Sequence, residues 1–536
     1  MRILAVIPAR AGSKGIPNKN IRIIGGHPLI YYAIHNALQS KFITDVIVST
    51  DSDVVKEYVG TFEDSRLKVK DRSPELCLDD VTLDAVIYDA IPKEIEWDYI
   101  VTLQPTSPTL KADTLDQAIQ YAIKENLDTC ISVSNKPHLA WVQDRDRVKP
   151  AYQKRLNRQY LPPYYMENGA FVISKSSVVT SATRIGTKIN VYQISEEEAV
   201  DVDSFYDLME VDKVLSAPKV AFYVNGNNKR GMGHIYRTLE IADELFLKPD
   251  IYYDTNQTKR EFFGATTYDL IPVNGTAELF DRCREKQYSV FINDILSTTV
   301  DYMYGLKSVL PKDAQIINFE DEGEGSQIAD IVINALFENS DQKNVYAGSQ
   351  YYIAKKNFLF YPPVSIREKA TRVFICFGGS DPMNYTDRIL QIVNKPAYSQ
   401  YQFRIALGKA KENVDELMKY NDNPSLGVFY DVQNMPSLMS SCDIAITSRG
   451  RTAYELAMLG IPTIVISENE REKSHSFICN ENGFSYIGYN PTDEIIESQL
   501  NAYLHLSKES RQSLQDKLLS HDLRHGRERV MKLINA

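Results

Sequence analysis

Residues 3–15, ILAVIPARAGSKG, decide how the chain begins to fold. Their apolar run ends at Pro8, and a loop with two glycines follows at once. Such a short β-rich run is typical of a buried strand, and it is too short for the apolar segment of a signal peptide. Two further stretches, 219–224 and 372–377, have the same order of an apolar run, a glycine-containing loop and a helical pattern. We therefore predict an α/β protein with three open α/β layers.

Prolines mark two candidate domain boundaries. At residues 215–218 (LSAP) a proline follows a helical pattern and a new strand begins, and YPPV at 361–364 is a second break. A chain of 536 residues is long enough for about three domains. We divide it at these breaks into 1–216, 219–362 and 366–536.

The composition excludes several functional classes. A net charge of −11 and a sequence pI near 5.4 argue against a nucleic-acid coat, which needs a basic face. No apolar run approaches the roughly 18 residues that span a bilayer, so we expect no membrane partner. The six cysteines contain no CxxC pair, which favours a reducing cytoplasm and argues against a structural zinc site.

The loop at residues 8–20, PARAGSKGIPNKN, is a candidate triphosphate site. Gly12 and Gly15 allow the backbone to approach a ligand closely and to expose its N–H groups. The loop also carries three cations: Arg10, Lys14 and Lys19. Residues 1–44 contain no aspartate or glutamate, although the chain as a whole is acidic. This local excess of positive charge predicts phosphate binding, and a solvated basic loop is the alternative interpretation.

A pair of carboxylates later in the chain strengthens the phosphate interpretation. Asp201 and Asp203 lie two residues apart, and on a strand this spacing points both side chains to one face. Magnesium in phosphate sites is usually held by one or two carboxylates together with substrate phosphates. We therefore predict Mg²⁺ at this pair, and an exposed strand end is the alternative.

Seven motifs in the first 215 residues carry a resemblance to a known family. They are PARAGSKGIPNKN at 8–20, GHPLI at 26–30, VSTDS at 48–52, RSPEL at 72–76, LQPTSP at 103–108, ENGA at 167–170 and DVDS at 201–204. In these motifs the chain resembles the acylneuraminate cytidylyltransferases, also called CMP-sialic acid synthetases. It departs from them at Thr109-Leu110, where the family usually has Leu-Arg.

The resemblance implies a Rossmann-like nucleotidyltransferase domain that forms a homodimer through an insertion near 138–166. The implied reaction joins CTP to a nonulosonic acid and releases pyrophosphate. The matching residues are Arg10, Gly12, Ser13, Lys14 and Lys19 for the triphosphate, Asn20, Arg72 and Thr82 near the cytidine, Gln104 at the sugar acid, and Asp201 and Asp203 for Mg²⁺.

A second candidate site follows the strand at 219–224. The motif GMGHIYR at 231–237 places His234 just after a glycine turn, where a helix begins. A side chain at this position faces the crevice at the carboxyl ends of the strands, which is the usual ligand position in open α/β sheets. The imidazole is therefore a candidate general base, and a histidine that caps the helix or packs in a loop is the alternative.

Residues 219–490 resemble the UDP-sugar hydrolase of pseudaminic acid biosynthesis and the related spore-coat polysaccharide protein. Both are relatives of the two-domain glycosyltransferases, so the implied fold is a GT-B-like module of two facing Rossmann-like lobes. The motifs are GMGHIYR at 231–237, NFEDE at 318–322, ADIVIN at 329–334, FGGSDP at 377–382, GRTAYEL at 450–456 and GIP at 460–462.

This second resemblance implies hydrolysis of a UDP-linked 2,4-diacetamido-trideoxyhexose without a metal. The matching residues are His234 as the base, Gly378, Gly379, Ser380 and Thr452 for the diphosphate, Glu455 for the ribose, and two further substrate-binding residues: Asp294 at an acidic position of the family and Asn469 in a late loop. The chain departs from the family at Leu296, Arg449, Arg451 and Glu470. A glycosyltransferase and a non-catalytic sugar-nucleotide-binding module therefore stay open as alternatives for this half. The leading hypothesis is a bifunctional cytoplasmic enzyme of nonulosonic acid biosynthesis.

Overall fold

The structure, a computed structural model, describes residues 1–12, 15–226, 233–337 and 342–535. These residues form two compact units, Met1–Ala217 and Pro218–Ala536. Among the helices of these ranges, none has both the length and the apolar character that are needed to cross a bilayer.

The first unit is built on a seven-stranded sheet. The strands of the whole unit are β1 Ile3–Pro8, β2 Ile23–Ile24, β3 His27–Pro28, β4 Asp45–Thr50, β5 Leu67–Asp71, β6 Tyr99–Leu103, β7 Thr129–Asn135, β8 Trp141–Asp144, β9 Arg147–Pro150, β10 Tyr165–Lys175 and β11 Ile189–Gln193. Of these, β2 pairs with β3 and β8 pairs with β9 in two small separate sheets. Its helices are α1 Leu29–Gln39, α2 Asp53–Val59, α3 Leu83–Ala90, α4 Ala112–Lys124 and α5 Phe205–Ser216. The sheet order is β11-β7-β10-β6-β1-β4-β5, and β10 runs antiparallel to both of its neighbours.

The first strand is buried on both faces, as the sequence predicts. Ile3, Ala5 and Ile7 pack into the core formed with α1 and α4. Leu4 and Val6, which alternate with them, pack on the other side against α3. This two-sided burial explains why the run is apolar throughout, because a strand covered by helices on both faces has no solvent-facing side.

The second unit contains two sheets in which every strand pair is parallel. The first has the strands β12 Val220–Val224, β13 Asp250–Asp254, β14 Leu270–Val273, β15 Val290–Asp294, β16 Gln315–Phe319, β17 Ile331–Asn334 and β18 Val345–Ala347. The second has β19 Arg372–Cys376, β20 Gln402–Leu407, β21 Leu426–Tyr430, β22 Ile444–Ser448, β23 Thr463–Ser467 and β24 Phe484–Tyr489. Their orders, β14-β13-β12-β15-β16-β17-β18 and β21-β20-β19-β22-β23-β24, both reverse direction beside the first strand, as Rossmann-type sheets do.

Eleven helices of the described chain accompany these sheets. They are α6 Gly233–Ala242, α7 Gly275–Arg284, α8 Val300–Val309, α9 Lys356–Leu359, α10 Tyr385–Val393, α11 Val414–Met418, α12 Met435–Ser440, α13 Arg451–Met458, α14 Asp493–Leu504, α15 Lys508–Leu519 and α16 Gly526–Ile534. We call β12–β18 with α6–α8 the first lobe and β19–β24 with α10–α15 the second lobe. The α/β fold class with a two-lobed second half is confirmed.

The last helix returns to the first lobe. Val530 and Ile534 of α16 are buried in the core that includes Phe222 of β12. Arg527 at the start of the helix donates hydrogen bonds to the Glu244 carboxylate at 3.0 Å and to the Ala354 carbonyl at 2.7 Å. Our sequence division groups this segment with 366–536, whereas its apolar face is buried against the first lobe, a contact that no local pattern reveals.

Candidate functional site

A cavity of about 310 Å³ lies in the first unit where β1 and β6 end. It is lined by Pro8, Arg10, Gly15, Lys19, Asn20, Gln104, Pro105, Thr106 and Asp203. The carboxyl edge of parallel strands is where open α/β sheets bind ligands. Of the residues predicted for the first site, Arg10, Lys19, Asn20, Gln104 and Asp203 line this one cavity.

Lys19 connects the glycine loop to the aspartate segment. Its Nζ donates to the Val202 carbonyl oxygen at 2.6 Å and lies 3.3 Å from Oδ1 of Asp203. The Lys19 side chain is 14% exposed and that of Asp203 is 77% exposed, so the carboxylate reaches from the cavity wall into solvent. A lysine held in this way presents a fixed positive charge beside a carboxylate, which suits a site for a phosphate with a cation.

The segment 199–203 is a loop, so the shared-face argument for Asp201 and Asp203, which applies to a strand, does not hold here. The Val202 amide donates to the Thr106 carbonyl at 2.8 Å, and the chain then enters α5 through a capping box. In that box the Asp207 carboxylate accepts hydrogen bonds from the Asp203 and Ser204 amides. The capping box, which follows the segment 199–203 in the chain, fixes the path of this segment.

Asp201 lies partly buried beside the cavity. Burial, with a contribution from the Asp203 charge, raises the pKa of Asp201. Its Oδ1 is buried and has no hydrogen-bond partner within the described residues. An unsatisfied buried carboxylate oxygen is a group that a cation would satisfy. The described ranges hold no group of three or more histidine, cysteine, aspartate or glutamate side chains placed for a metal. The two carboxylates therefore fit a metal whose remaining ligands come from substrate phosphates and water.

Gly169 admits Gln104 and Asp201 to this site. It has φ +74°, and a Cβ added to it would lie 3.0 Å from Nε2 of Gln104 and 3.3 Å from Oδ2 of Asp201. Gly169 belongs to the ENGA motif at 167–170, which by itself predicts no role for it. Its signal in sequence is weak, because a single glycine in a strand has several explanations.

The other predicted residues of the first site are not among those that line the cavity, and Arg10, which does line it, has a second contact. Arg10 Nη1 donates to Oδ1 of Asp79 at 3.0 Å. Arg72 is 7% exposed and donates to the Ser49 carbonyl at 2.8 Å, and burial lowers the pKa of its guanidinium. Thr82 is exposed at the N-cap of α3, and Gly12 is exposed in its loop. Ser13 and Lys14 lie outside the described residues.

The second candidate site centres on His234, the second residue of α6. Its Nδ1 is 2.5 Å from Oδ1 of Asp294, which ends β15. His234 is 4% exposed and Asp294 is fully buried. Because a carboxylate can only accept, Nδ1 carries the proton in this pair, and Nε2 is left as the acceptor that a general base needs.

Arg237 holds the Asp294 carboxylate in place. Its Nε donates to Oδ2 at 2.8 Å and its Nη2 to Oδ1 at 2.6 Å. Burial alone would raise the pKa of Asp294, but the charge of Arg237 beside it outweighs this effect and lowers the pKa. Asp294 was predicted to bind substrate, and the structure places it behind His234, where both of its oxygens are already hydrogen-bonded.

Glu320, which follows β16, joins Arg237 to the second lobe. Its Oε1 accepts hydrogen bonds from Nη1 of Arg237 and, at 2.9 Å, from Nη2 of Arg451. Burial would raise the pKa of Glu320, but the charges of Arg237 and Arg451 hold it well below its ordinary value. Glu320 was quoted within the motif at 318–322 without a role, and its two partners lie far from it in sequence.

The predicted phosphate loop of the second lobe is open. Gly378 has φ +68°, and neither it nor Gly379 has any described atom within 4 Å of an added Cβ. Behind the loop, a Cβ at Gly408 would lie 2.4 Å from the carbonyl oxygens of both. This close approach leaves the front of the loop free for a ligand and requires glycine at 408.

The other predicted residues of the second lobe lie on three separate segments. Ser380 follows the two glycines, Thr452 is in the first turn of α13, and burial raises the pKa of Glu455 one turn later. Oδ1 of Asn469 accepts the Glu472 amide at 3.0 Å.

The structure describes three of the departures from the resembled family. Arg449 is 7% exposed, and its guanidinium donates to the carbonyls of Lys473 and Ile478. Leu296 has φ +68°, in the left-handed region that non-glycine residues rarely adopt, and nothing in the structure explains the leucine itself. Arg451, in contrast, reaches across to the first lobe.

Comparisons with known proteins agree with this architecture. Residues 4–210 match the family model Cytidylyltransferase. The chain is 31% identical over 229 residues to the CMP-N,N'-diacetyllegionaminic acid synthase of Legionella pneumophila, and it covers 97% of that protein and 40% of its own length. The chain belongs to the cytidylyltransferase family. It is also 31% identical over 222 residues to the N-acylneuraminate cytidylyltransferase of Streptococcus agalactiae, covering 39% of its own length and 52% of that protein. The chain spans about half the length of the curated relatives that it matches first, between 47% and 57%.

A further match extends into the second unit. Residues 373–481 match the model Glycosyltransferase family 28 C-terminal domain. Over 508 residues the chain is 24% identical to the pseudaminic acid cytidylyltransferase and UDP-2,4-diacetamido-2,4,6-trideoxy-beta-L-altropyranose hydrolase of Helicobacter pylori, covering 89% of its own length and 90% of that protein.

Proposed function

We propose that the chain is a bifunctional enzyme of nonulosonic acid biosynthesis. The first unit transfers CMP from CTP to the anomeric hydroxyl of a nonulosonic acid, and the second hydrolyses a UDP-linked diacetamido-trideoxyhexose. One observation carries the first assignment: Arg10, Lys19, Asn20, Gln104 and Asp203 line a single cavity of about 310 Å³. The match over nearly the whole length of a two-activity relative supports the combination.

In the proposed transfer, the anomeric oxygen of the sugar acid attacks the α-phosphorus of CTP. A new oxygen–phosphorus bond forms as the hydroxyl proton is released to solvent, the bond from the α-phosphorus to the bridging oxygen breaks, and pyrophosphate leaves with that electron pair. Such a reaction depends on positioning and on charge neutralisation. Arg10 and Lys19 supply fixed cations near the leaving group, and Lys14 is proposed for the same role. Gln104, which lines the same cavity, is proposed to orient the sugar acid.

Mg²⁺ is the cofactor that we propose for this unit, held by Asp201 and Asp203 together with the triphosphate. The unpartnered Oδ1 of Asp201 and the largely exposed carboxylate of Asp203 fit such an ion. When bound, the ion would neutralise charge on the phosphates. No metal is proposed for the second unit.

The first unit is proposed to form a homodimer through the segment at 138–166. Four large side chains on it are strongly exposed: Trp141 at 57%, Val148 at 64%, Tyr160 at 69% and Tyr164 at 58%. Exposed apolar side chains in one segment are typical of an association surface.

The six cysteines are all free thiols, which supports the cytoplasmic location that we propose.

A substrate screen tests the first activity. The purified protein is incubated with CTP, Mg²⁺ and one of pseudaminic, legionaminic or N-acetylneuraminic acid, and pyrophosphate release is measured. We expect release with at least one acid. The matched variants are Lys19→Gln in the cavity and Lys248→Gln in the second unit, and only Lys19→Gln should slow the reaction. No pyrophosphate release with any of the three acids would contradict the proposed transferase activity.

In the proposed hydrolysis, His234 takes a proton from water at Nε2 while the water oxygen bonds to the anomeric carbon. The bond from that carbon to the β-phosphate oxygen breaks, and UDP leaves. The His234–Asp294 contact of 2.5 Å supports this role, because it fixes the ring and leaves Nε2 as the acceptor. Gly378, Gly379, Ser380 and Thr452 are proposed for the diphosphate, since helix N-termini and glycine loops bind such anions. Glu455 is proposed to bind the ribose hydroxyls, and Asn469 in the late loop is proposed to bind the substrate.

A glycosyltransferase is the second candidate for this unit, because residues 373–481 match a glycosyltransferase family model. The two candidates differ in whether water is a sufficient acceptor. We expect UDP to be released from the UDP-sugar in buffer alone, and His234→Gln to abolish this release while UDP still binds. Turnover only when a sugar acceptor is added would favour the transferase, and binding without any turnover would favour a sugar-nucleotide-binding module.

A further inference from the structure

Arg451 joins the two lobes of the second unit beside His234. It is the first residue of α13, and its Nη1 donates to the Gly233 carbonyl oxygen at 2.6 Å, immediately before His234. Its Nη2 donates to both carboxylate oxygens of Glu320, at 2.9 and 3.0 Å. Both acceptors belong to the first lobe, whereas Arg451 belongs to the second.

The contact is closely fitted. A Cβ added to Gly233 would lie 2.8 Å from Cζ, Nε and Nη1 of Arg451, so a larger residue at 233 would displace the guanidinium. Glu320 is 3% exposed and has φ +52°, a conformation that costs a non-glycine residue free energy. The Arg451 side chain is 27% exposed. Because the two Nη atoms of Arg451 bind separate acceptors and Glu320 is buried, the contact is geometrically more specific than an exposed surface pair.

Glu320 extends this contact to the proposed base. The same Oε1 that accepts from Arg451 also accepts from Arg237. Arg237 in turn holds both oxygens of Asp294, and Asp294 holds His234. A continuous series of charged contacts therefore leads from the start of α13 to the imidazole.

We propose that Arg451 is a positioning residue that couples occupation of the nucleotide site in the second lobe to the alignment of His234 in the first. The inference rests on the hydrolase function proposed above. The backbone N–H groups at the start of α13 are the proposed diphosphate donors, and Arg451 is part of the same helix turn. A UDP-sugar bound there fixes this turn, and through Gly233 and Glu320 it fixes the ring of His234.

Kinetics of Arg451→Gln test the proposal. Because misalignment of a base slows chemistry more than it weakens binding, we expect the kcat for UDP-sugar hydrolysis to fall roughly 10²-fold. We expect KM and the Kd for UDP to change by less than about threefold. Arg451→Lys keeps the charge but loses the fork of donors, so its kcat should lie between those of the wild type and Arg451→Gln. The matched control is Arg282→Gln, which removes an exposed pair with Glu278 on α7 and should leave kcat unchanged. A loss expressed only in KM would overturn the proposal.

A double variant tests whether Glu320 and Arg451 act through each other. If they do, Glu320→Gln with Arg451→Gln hydrolyses no more slowly than the slower single variant. Effects that multiply would overturn the coupling.

A spectroscopic readout decides the coupling without turnover. In protein with labelled histidine, the imidazole resonance of His234 is assigned by its loss in His234→Gln. Saturating UDP should shift this resonance in the wild type and in Arg282→Gln, but not in Arg451→Gln, although calorimetry shows that UDP binds. A wild-type resonance that UDP leaves unmoved, or a full shift in Arg451→Gln, would overturn the proposal. Coupling in this assay without any hydrolysis would instead reject the hydrolase function alone.

Discussion

Gly15 lies directly against the backbone of Asp203: a Cβ added to Gly15 would stand 2.8 Å from the Asp203 carbonyl oxygen. Lys19, four residues further on, binds the neighbouring Val202 carbonyl at 2.6 Å. The glycine loop and the aspartate segment therefore form one continuous wall of the cavity.

This contact predicts the effect of Gly15→Ala. The added methyl group meets a backbone atom that has no rotamer in which to escape, so either the loop or the aspartate segment must move. A displacement of this size in a positioning site should reduce pyrophosphate release by roughly 10²-fold. The control is Gly60→Ala at the end of α2, whose Cβ would have its nearest contact at 3.2 Å. Activity of Gly15→Ala close to that of Gly60→Ala would contradict the fitted wall.

Asp201→Asn should separate activity from stability. The variant loses a proposed metal ligand, so we expect pyrophosphate release to fall roughly 10²-fold or more. Because burial raises the pKa of Asp201, its ionised form destabilises the fold at neutral pH. Without Mg²⁺, calorimetry at pH 7.5 should therefore show a higher unfolding temperature for the variant than for the wild type.

The sign of this effect fixes its pH dependence. A carboxyl whose folded-state pKa is raised costs stability above that pKa and costs nothing below its ordinary pKa. The difference in unfolding temperature should thus shrink as the pH falls into the ordinary range of carboxyl groups. A variant that is less stable at every pH would contradict the burial argument.

Asp294→Asn tests how His234 is oriented. The amide keeps the shape of the side chain, but it permits the wrong tautomer of the imidazole. We expect hydrolysis of the UDP-sugar to fall roughly 10²- to 10⁴-fold in kcat, by analogy with the loss seen when a carboxylate behind a catalytic histidine is replaced. Release of pyrophosphate by the first unit should not change. The control is Asp281→Asn, an exposed partner of Arg284. Retained hydrolysis in Asp294→Asn would remove the dyad from the mechanism.

Arg237→Met should destabilise the second unit and change its response to acid. The variant leaves Asp294 and Glu320 buried with less compensating charge, a loss of about 3–5 kcal/mol for a broken buried pair. In the wild type, Arg237 lowers the pKa of both carboxyls, so the stability that they contribute is present at neutral pH. That contribution is lost as the pH falls below the ordinary carboxyl range.

Calorimetry from pH 7 down to pH 2 measures this effect, with the transition of the second unit assigned by its shift on addition of UDP. The wild type should lose stability steeply below about pH 4, where the depressed pKa values of the two carboxyls take effect, and Arg237→Met should lose less. Equal slopes in the two proteins would show that the buried charge cluster does not govern acid stability. Arg282→Met removes a surface pair instead and should keep the wild-type slope.

Much of the framework could be predicted from the sequence because it is encoded locally. The runs at Ile3–Pro8, Val220–Val224 and Arg372–Cys376 are apolar, short and followed by glycine loops, and each forms the first strand of its sheet. The cationic glycine loop could also be recognised from its local composition, because residues 1–44 contain no aspartate or glutamate. The segment 199–203 forms a loop and not a strand, because a helix cap and a contact with Lys19 fix its path. Both contacts depend on residues outside the segment.

The amino-acid sequence by itself determined the three α/β layers, the cationic glycine loop and the histidine at the start of α6, because strand burial, loop charge and helix starts each depend on residues within a few positions. Only the tertiary structure decided that Asp294 stands behind His234, that Gly169 makes room for Asp201, and that Glu320 binds Arg451, 131 residues away. These contacts arise where sheet edges and lobes meet. Their energy depends on distance and burial in three dimensions, which spacing along the chain does not encode.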